Sequence, residues 1–398
     1  MSINKLLTLI VSGICFSQVF LEYTVGVLIP APFILYIISV LILISLVQLP
    51  VIKILDNKLV IWFIINILLV LTCLVFSIYL TDSNSYGFRK SMLFIIYAIV
   101  PLIIGFLFGQ RFDIKIFLNC ALLWSFITLV MLAVSPSVSF VDYGFRLLPY
   151  FNGEKIDVIS YSRQLSLFCL VALAILINSD LKNISIAIVI TCLILLFSSG
   201  SRASLLALIL SSLYLFKNKL SLKMMIFTGF ILFLLIISNF ESIQSSNIFL
   251  RMYNDFGNGN LNGSAGEREE LIAFTIDRIV NNPLGGFGIG QFGLDFLGID
   301  IRSYPHNFFL EIYYELGIWS LLPMTFLLSY PYFKSKSSNE FKSFYILTFI
   351  YMMFSGDLGS PQYIWFFSGV LWYELCSSKY DKSDFLGRQL YEKDFNRR

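Results

Sequence analysis

LVIWFIINILLVLTCLVFSIYL, residues 59–80, decides the fold. The stretch has no charged residue, and it is long enough to cross a bilayer, which takes about 20 apolar residues. Similar runs flank it. They fall near 6–21, 31–49, 91–109, 114–134 and 164–178, and again near 183–198, 203–216, 223–238, 306–330, 341–355 and 362–378. The expected architecture is therefore all-α: a polytopic membrane helix bundle with about twelve transmembrane helices. Composition agrees, at 57% hydrophobic and 13% charged with a mean hydropathy of +0.80. A soluble globular domain carries about 25% charged residues. The soluble multidomain reading that 398 residues would otherwise suggest is excluded.

Two connections are too long for simple turns, 135–163 and 239–305, and both are expected outside the membrane. The second is rich in Gly and Asn around NDFGNGNLNGSAGERE and then reads EREELIAFTIDRIV. An amphipathic helix is expected near 268–280, with Leu271, Ile272, Ile276, Ile279 and Val280 on one side. Asn281, Asn282 and Pro283 stop it. The six cysteines all lie in apolar runs with no CxxC, and the chain has a single histidine. Neither disulfides, nor a metal site, nor a cofactor is expected, and no nucleic-acid partner is expected either.

Basic residues set the orientation. With twelve spans and both termini inside, the inner segments carry mostly lysine. The outer segments carry mostly arginine: Arg89, Arg146, Arg163, Arg202, Arg251, Arg268, Arg278 and Arg302. A guanidinium keeps its charge and grips phosphate with two parallel bonds. Arginines held where the positive-inside rule disfavours them point to an outer surface that binds an anion. The bland alternative is pairing with nearby acids such as Asp142, Glu267 or Asp277.

Three short motifs carry chemistry. In YPHNFFLEIYYELG, residues 304–317, the solitary His306 follows Pro305 at the expected start of a span. Ser303 or Tyr304 would cap that helix, and a helix N-terminus favours a neutral imidazole. Asn307 stands beside it; the alternative is an interfacial histidine satisfied by water. In SSGSRASLLAL, residues 198–208, Arg202 opens a span just after Gly200 and Ser201. A cation at that end makes sense if an anion docks on the helix N–H groups, or if the side chain snorkels. NPLGGFGIGQFG, residues 282–293, contains Gly288, Gly290 and Gly293 in a GxGxxG. With no strand before it, a dinucleotide fold is rejected. A flexible re-entrant loop that lets backbone approach a substrate is expected instead.

These residues resemble the bacterial O-antigen ligase and O-antigen polymerase superfamily. The resemblance rests on Arg202 with Leu206, Gly266 with Arg268, and His306-Asn307 with Gly317, in that order. It covers roughly 190–330 and is most similar to an O-antigen polymerase. The resemblance implies a metal-independent glycosyltransferase in the bacterial cytoplasmic (inner) membrane, with its active site facing the periplasm. Its substrate would be an undecaprenyl-pyrophosphate-linked oligosaccharide, and a chain-length regulator protein is a possible further partner. On this reading His306 is the general base, and Arg202, Arg268 and Arg302 bind pyrophosphate. Arg146, Arg163 and Asn307 hold the acceptor or the glycan. The acceptor is another lipid-linked repeat for a polymerase and lipid A–core for a ligase. A lipid-linked-glycan transporter is the competing class, opposed by the scarcity of charge in mid-span and by the lack of an inverted repeat.

Overall fold

The computed structural model describes residue 8 and residues 56–83, 85–109, 112–134, 138–143, 146–151, 154–155, 157–178, 181–217, 264–355, 357–358 and 363–377. The expected spans near 31–49 and 223–238, all but Thr8 of the one near 6–21, and residues 239–263 of the long connection lie outside these. Among the described residues, five helices are long and apolar enough to cross a membrane. They are α1 (Asn57–Leu80), α2 (Tyr86–Phe108), Ile114–Ala133 within α3 (Ile114–Val134), Val158–Leu176 within α4 (Val158–Asn178), and α5 (Lys182–Ser199). A shorter apolar helix follows, α6 (Arg202–Phe216).

The described residues are mainly helical, apart from a small antiparallel sheet between α3 and α4. Its strands are β1 (Val138–Tyr143), β2 (Arg146–Phe151) and β3 (Glu154–Lys155), in the order β1-β2-β3. Register pairs Val138 with Phe151 and Tyr143 with Arg146. The structure divides into two compact units. The first takes Met1–Leu35, Asp113–Leu271 and Ser338–Ser355, and the second takes Tyr36–Phe112, Ile272–Ser337 and Gly356–Arg398.

In the first unit α4 is the central element, and it packs against α3, α5, α6 and α11 (Asn339–Ser355). Phe168, Leu170, Val171, Ala172 and Ala174 along it are all buried. Asp157 starts the helix by accepting from the Ser160 amide at 2.9 Å and the Ser160 hydroxyl at 2.7 Å. That carboxylate satisfies donors that a helix N-terminus would otherwise leave unpaired. The first unit also holds the beginning of α7 (Ser264–Asn281).

In the second unit, α1 turns Ile61, Trp62, Leu68, Leu69 and Phe76 outward, as a lipid-facing helix does. α2 carries a π-helical turn over Ile95–Ile99, next to Pro101, which has no amide to give the helical ladder. The Val100 amide reaches back to Ile95 O there. α2 and α12 (Tyr363–Ser377) meet through glycine. A Cβ on Gly105 would fall 2.1 Å from Phe366 O, and one on Gly369 would fall 2.1 Å from Leu102 O. Small residues at such crossings let two backbones approach in lipid.

The run expected as one span near 306–330 is two helices. α9 (Phe308–Leu316) and α10 (Ile318–Lys334) are separated at Gly317, whose φ of 81 ends α9. Between α7 and α9 lies the short α8 (Gln291–Leu297). Pro331 in α10 cannot donate to Leu327 O, four residues back. Ser368 Oγ at 2.6 Å and Trp372 Nε1 at 2.8 Å donate to that carbonyl instead. A membrane helix tolerates proline when a neighbour supplies the missing donor in this way.

Candidate functional site

The segment 298–307 leads from α8 into α9 as an irregular strap. Arg302, Tyr304 and His306 come together on it, with Pro305 buried between the last two. The Arg302 guanidinium carbon lies 5.5 Å from the centre of the Tyr304 ring, and that ring lies 4.4 Å from the His306 ring. A cation over a tyrosine face gains a modest electrostatic attraction.

Two carboxylates fix the strap. Asp300 accepts from Ser83 Oγ at 2.5 Å, Ser85 Oγ at 2.9 Å, the Ser85 amide at 3.2 Å and the Tyr86 amide at 3.4 Å. It is thus an external cap on the first turn of α2, where negative charge is favoured. The Ser83 hydroxyl leads the bonds that hold the Asp300 carboxyl below the usual carboxylate range. Farther on, Arg302 Nε donates to Asp357 Oδ2 at 2.7 Å. Burial alone would lower the guanidinium's pKa, but the Asp357 charge beside it raises it on balance.

His306 has a φ of 55, the one non-glycine residue in the left-handed region among the described residues. Histidine is among the side chains that tolerate it, at some cost. The kink turns the chain into α9, whose cap is Asn307, not Ser303 or Tyr304. Asn307 Oδ1 accepts from the Phe309 and Leu310 amides, each at 3.1 Å. His306 is accordingly outside the helix and shares no helical face with Leu310 or Tyr313. With its oxygen committed to the cap, Asn307 fixes the backbone beside the imidazole.

The glycine loop 284–290 is packed, not flexible. The Gly286 and Phe287 amides donate to Tyr314 O at 3.1 and 2.9 Å, and the Gly288 amide donates to Glu315 O at 3.1 Å. A Cβ on Gly288 would lie 2.6 Å from Thr81 Cα, and one on Gly290 would lie 2.7 Å from Gly87 Cα. The close approach these glycines permit is to the protein's own backbone.

Sequence reasoning missed a cluster of charges. Lys90 Nζ lies 2.5 Å from Glu311 Oε1 and 2.7 Å from Glu315 Oε1, and all three side chains are 0% exposed. Glu311 Oε2 also accepts from the Leu358 amide at 3.0 Å. Lys90 lies near the start of α2 and the two glutamates lie on the short α9, so the cluster is not in mid-span. The legible signal was two glutamates at i and i+4, which share one helix face.

The other sequence-derived residues belong to the first unit. Arg202 is the first residue of α6, after Gly200 with φ 67 and Ser201. Arg146 lies in β2. Arg163, expected in a connection, is on the second turn of α4. Its Nη2 donates to Tyr351 O at 3.3 Å, and its guanidinium lies 5.5 Å from that ring's centre. The neighbouring Ser162 accepts from Ser204 Oγ of α6 at 3.0 Å. Arg268 is half-buried on α7. In the second unit Arg278 is paired: it donates to Asp295 at 3.0 Å and lies 5.2 Å from the Phe287 ring centre. Arg278, one of the arginines expected outside, thus has a structural partner, though a different acid from the Asp277 considered earlier.

An O-antigen ligase family model matches residues 187–324. The match supports the O-antigen ligase and polymerase superfamily and covers well under half of the chain. It contains Arg202, Arg268, Arg302, His306 and Asn307, and it leaves out Lys90, Arg146, Arg163 and Asp357. A search of the curated proteins finds no match. The O-antigen ligase match implies a glycosyltransferase-like enzyme of polysaccharide assembly acting on a lipid-linked glycan, and the apolar helices make this a multi-pass membrane protein.

Proposed function

We propose that this protein is an O-antigen polymerase of the bacterial cytoplasmic membrane, with about twelve spans. It transfers a growing glycan from undecaprenyl pyrophosphate to the next lipid-linked repeat at the periplasmic face. The observation that carries the reading is the Arg302–Tyr304–His306 row, held on a carboxylate-pinned strap inside the matched region.

His306 takes the proton of the acceptor hydroxyl, since an imidazole titrates near the working pH. The acceptor oxygen bonds to the anomeric carbon as the carbon–oxygen bond to pyrophosphate breaks. The carrier leaves as undecaprenyl pyrophosphate with both electrons of that bond, and Arg302 offsets the charge gathering on its phosphate oxygens. Attack opposite the leaving group inverts the anomeric centre. Arg202 and Arg268 are assigned to pyrophosphate, and Arg146 and Arg163 to the acceptor, from their sequence positions alone.

A second reading, ligation of the finished glycan onto lipid A–core, is compatible with the same family match. Transport is disfavoured because the Lys90–Glu311–Glu315 cluster is wholly enclosed, whereas a transport path needs its polar groups to meet water. Complementation separates these readings. In a polymerase-null strain the wild-type chain is expected to restore long lipopolysaccharide ladders. His306→Ala at equal expression is expected to leave a single repeat on core, a loss of about 10²–10⁴ in rate. Rescue of only a ligase-null strain would move the assignment to the ligase, and an active His306→Ala would remove the base from the mechanism.

A further inference from the structure

The contact between Arg302 and Asp357 is one-sided. It uses Nε, the guanidinium nitrogen nearest the stem, at 2.7 Å. The arginine side chain is 59% exposed and the aspartate 1%. A guanidinium carries five donors in one plane. A partner on Nε occupies the inner edge and leaves the outer pair of amino groups facing away from the buried acid.

Behind Asp357 the support continues inward. The next residue, Leu358, gives its amide to Glu311 Oε2 at 3.0 Å, and Glu311 is bound to Lys90. Lys90 also holds Glu315, whose carbonyl oxygen accepts from Ser77 Oγ at 2.9 Å and from the Gly288 amide at 3.1 Å. An enclosed ionic cluster is a poor source of stability, because apolar residues of the same volume do as well or better. Its position one residue from the partner of Arg302 gives it a different use.

We infer that Asp357 is a positioning residue for Arg302, anchored by the Lys90–Glu311–Glu315 cluster, and that it aims the outer edge of the guanidinium at the pyrophosphate of the lipid-linked donor. The inference rests on Arg302 being a phosphate ligand, as proposed above. An arginine already held through Nε has given up its rotamer freedom before the anion arrives, so less is lost on binding. Asp357 acts only through that side chain and touches no substrate.

The test is binding of undecaprenyl pyrophosphate to the purified full chain in nanodiscs, with thermal unfolding recorded for every variant. Arg302→Ala is expected to weaken binding. Asp357→Asn keeps the shape, removes the charge and is expected to weaken binding about tenfold. Asp357→Glu, if Asp357→Asn proves poorly folded, restores the charge and is expected to fall between Asp357→Asn and wild type. In an Arg302→Ala background, Asp357→Asn is expected to cause no further loss of affinity, which a merely structural role would not produce. Wild-type affinity in Asp357→Asn, or an undiminished loss in the Arg302→Ala background, would overturn the inference. Arg302→Ala binding as tightly as wild type would instead remove Arg302 from the proposed function.

Discussion

Two ionic groups in the second unit differ in what covers them. Lys90, Glu311 and Glu315 have no exposed side-chain area and contact one another and the Leu358 amide. The Arg302–Asp357 pair has one enclosed member and one that is more than half exposed. A closed cluster offers a ligand no path to its charges and can only hold shape, whereas an open guanidinium can hold shape on one edge and an anion on the other. Damage to the first should therefore appear as lost folding, and damage to the second as lost chemistry on an intact fold.

The largest effect expected from breaking the closed cluster comes from Lys90→Met. It leaves two enclosed carboxylates without a cation, a loss of about 3–5 kcal/mol. Thermal unfolding in detergent should show a strongly lowered midpoint or little folded protein. If Lys90→Met unfolds like wild type and loses only activity, the cluster is a chemical element and the contrast with Arg302 collapses.

The same contrast shows what the sequence displays and what it hides. Apolar runs locate α1 to α3, α5 and α6 and the second half of α4, because lipid selects for composition, and composition is visible in one dimension. The break at Gly317 was hidden, since LGIWSLL stays apolar across it and a lone glycine does not by itself end a helical pattern. The start of α4 was also hidden: ISYSR looks polar, yet Asp157 caps a helix there and carries Arg163 with it. At the site, Arg302, His306 and Asn307 were legible because they are neighbours in sequence. Asp357 was not, since only the fold brings it back to Arg302, and no local pattern marks a lone aspartate before a span. Lys90 was hidden for the same reason: its partners Glu311 and Glu315 are more than 200 residues away in sequence.

A smaller effect sharpens the comparison at the glycine loop, which holds the carbonyl of Glu315. Gly288 has φ 113 and no room for a Cβ beside Thr81. Gly288→Ala is expected to cost about 1–3 kcal/mol. The measurement is again thermal unfolding, with Gly298→Ala as a control, since nothing lies within 4 Å of a Cβ there although φ is 73. A larger loss at Gly298 than at Gly288 would mean that backbone conformation, not close packing, decides these positions. Smaller still is the strain at His306. His306→Gly is expected to be more stable than His306→Ala by about 1 kcal/mol, because glycine adopts φ 55 without a Cβ clash. Both should be inactive, so stability would differ between the two variants while activity would not.

The smallest expected effect concerns Asp300, which ties the open strap to the start of α2. Hydrogen bonds hold its carboxyl below the usual range, so in the folded state it binds its proton less readily than in the unfolded chain. The sign follows from linkage: its stabilising contribution is present above the ordinary aspartate value, about 3.9, and is lost as pH falls through the lower folded value. The Ser85 and Tyr86 amides report on this directly, because both donate to the carboxylate. Hydrogen exchange, corrected for intrinsic rates, should show their protection constant from pH 7 to about 4 and falling below that. Asp300→Asn keeps an acceptor oxygen but no charge at the helix end, a loss of roughly 0.3–1 kcal/mol. It should lower protection already at pH 7 and flatten the acid-side fall. The amides of the closed cluster supply the contrast. Leu358, bonded to the enclosed Glu311, should keep its protection in Asp300→Asn, since its anchor runs through Lys90 and not through the strap. If Leu358 loses protection together with Ser85 and Tyr86, the strap and the cluster open as one unit, and the division between an enclosed scaffold and an exposed working edge does not hold.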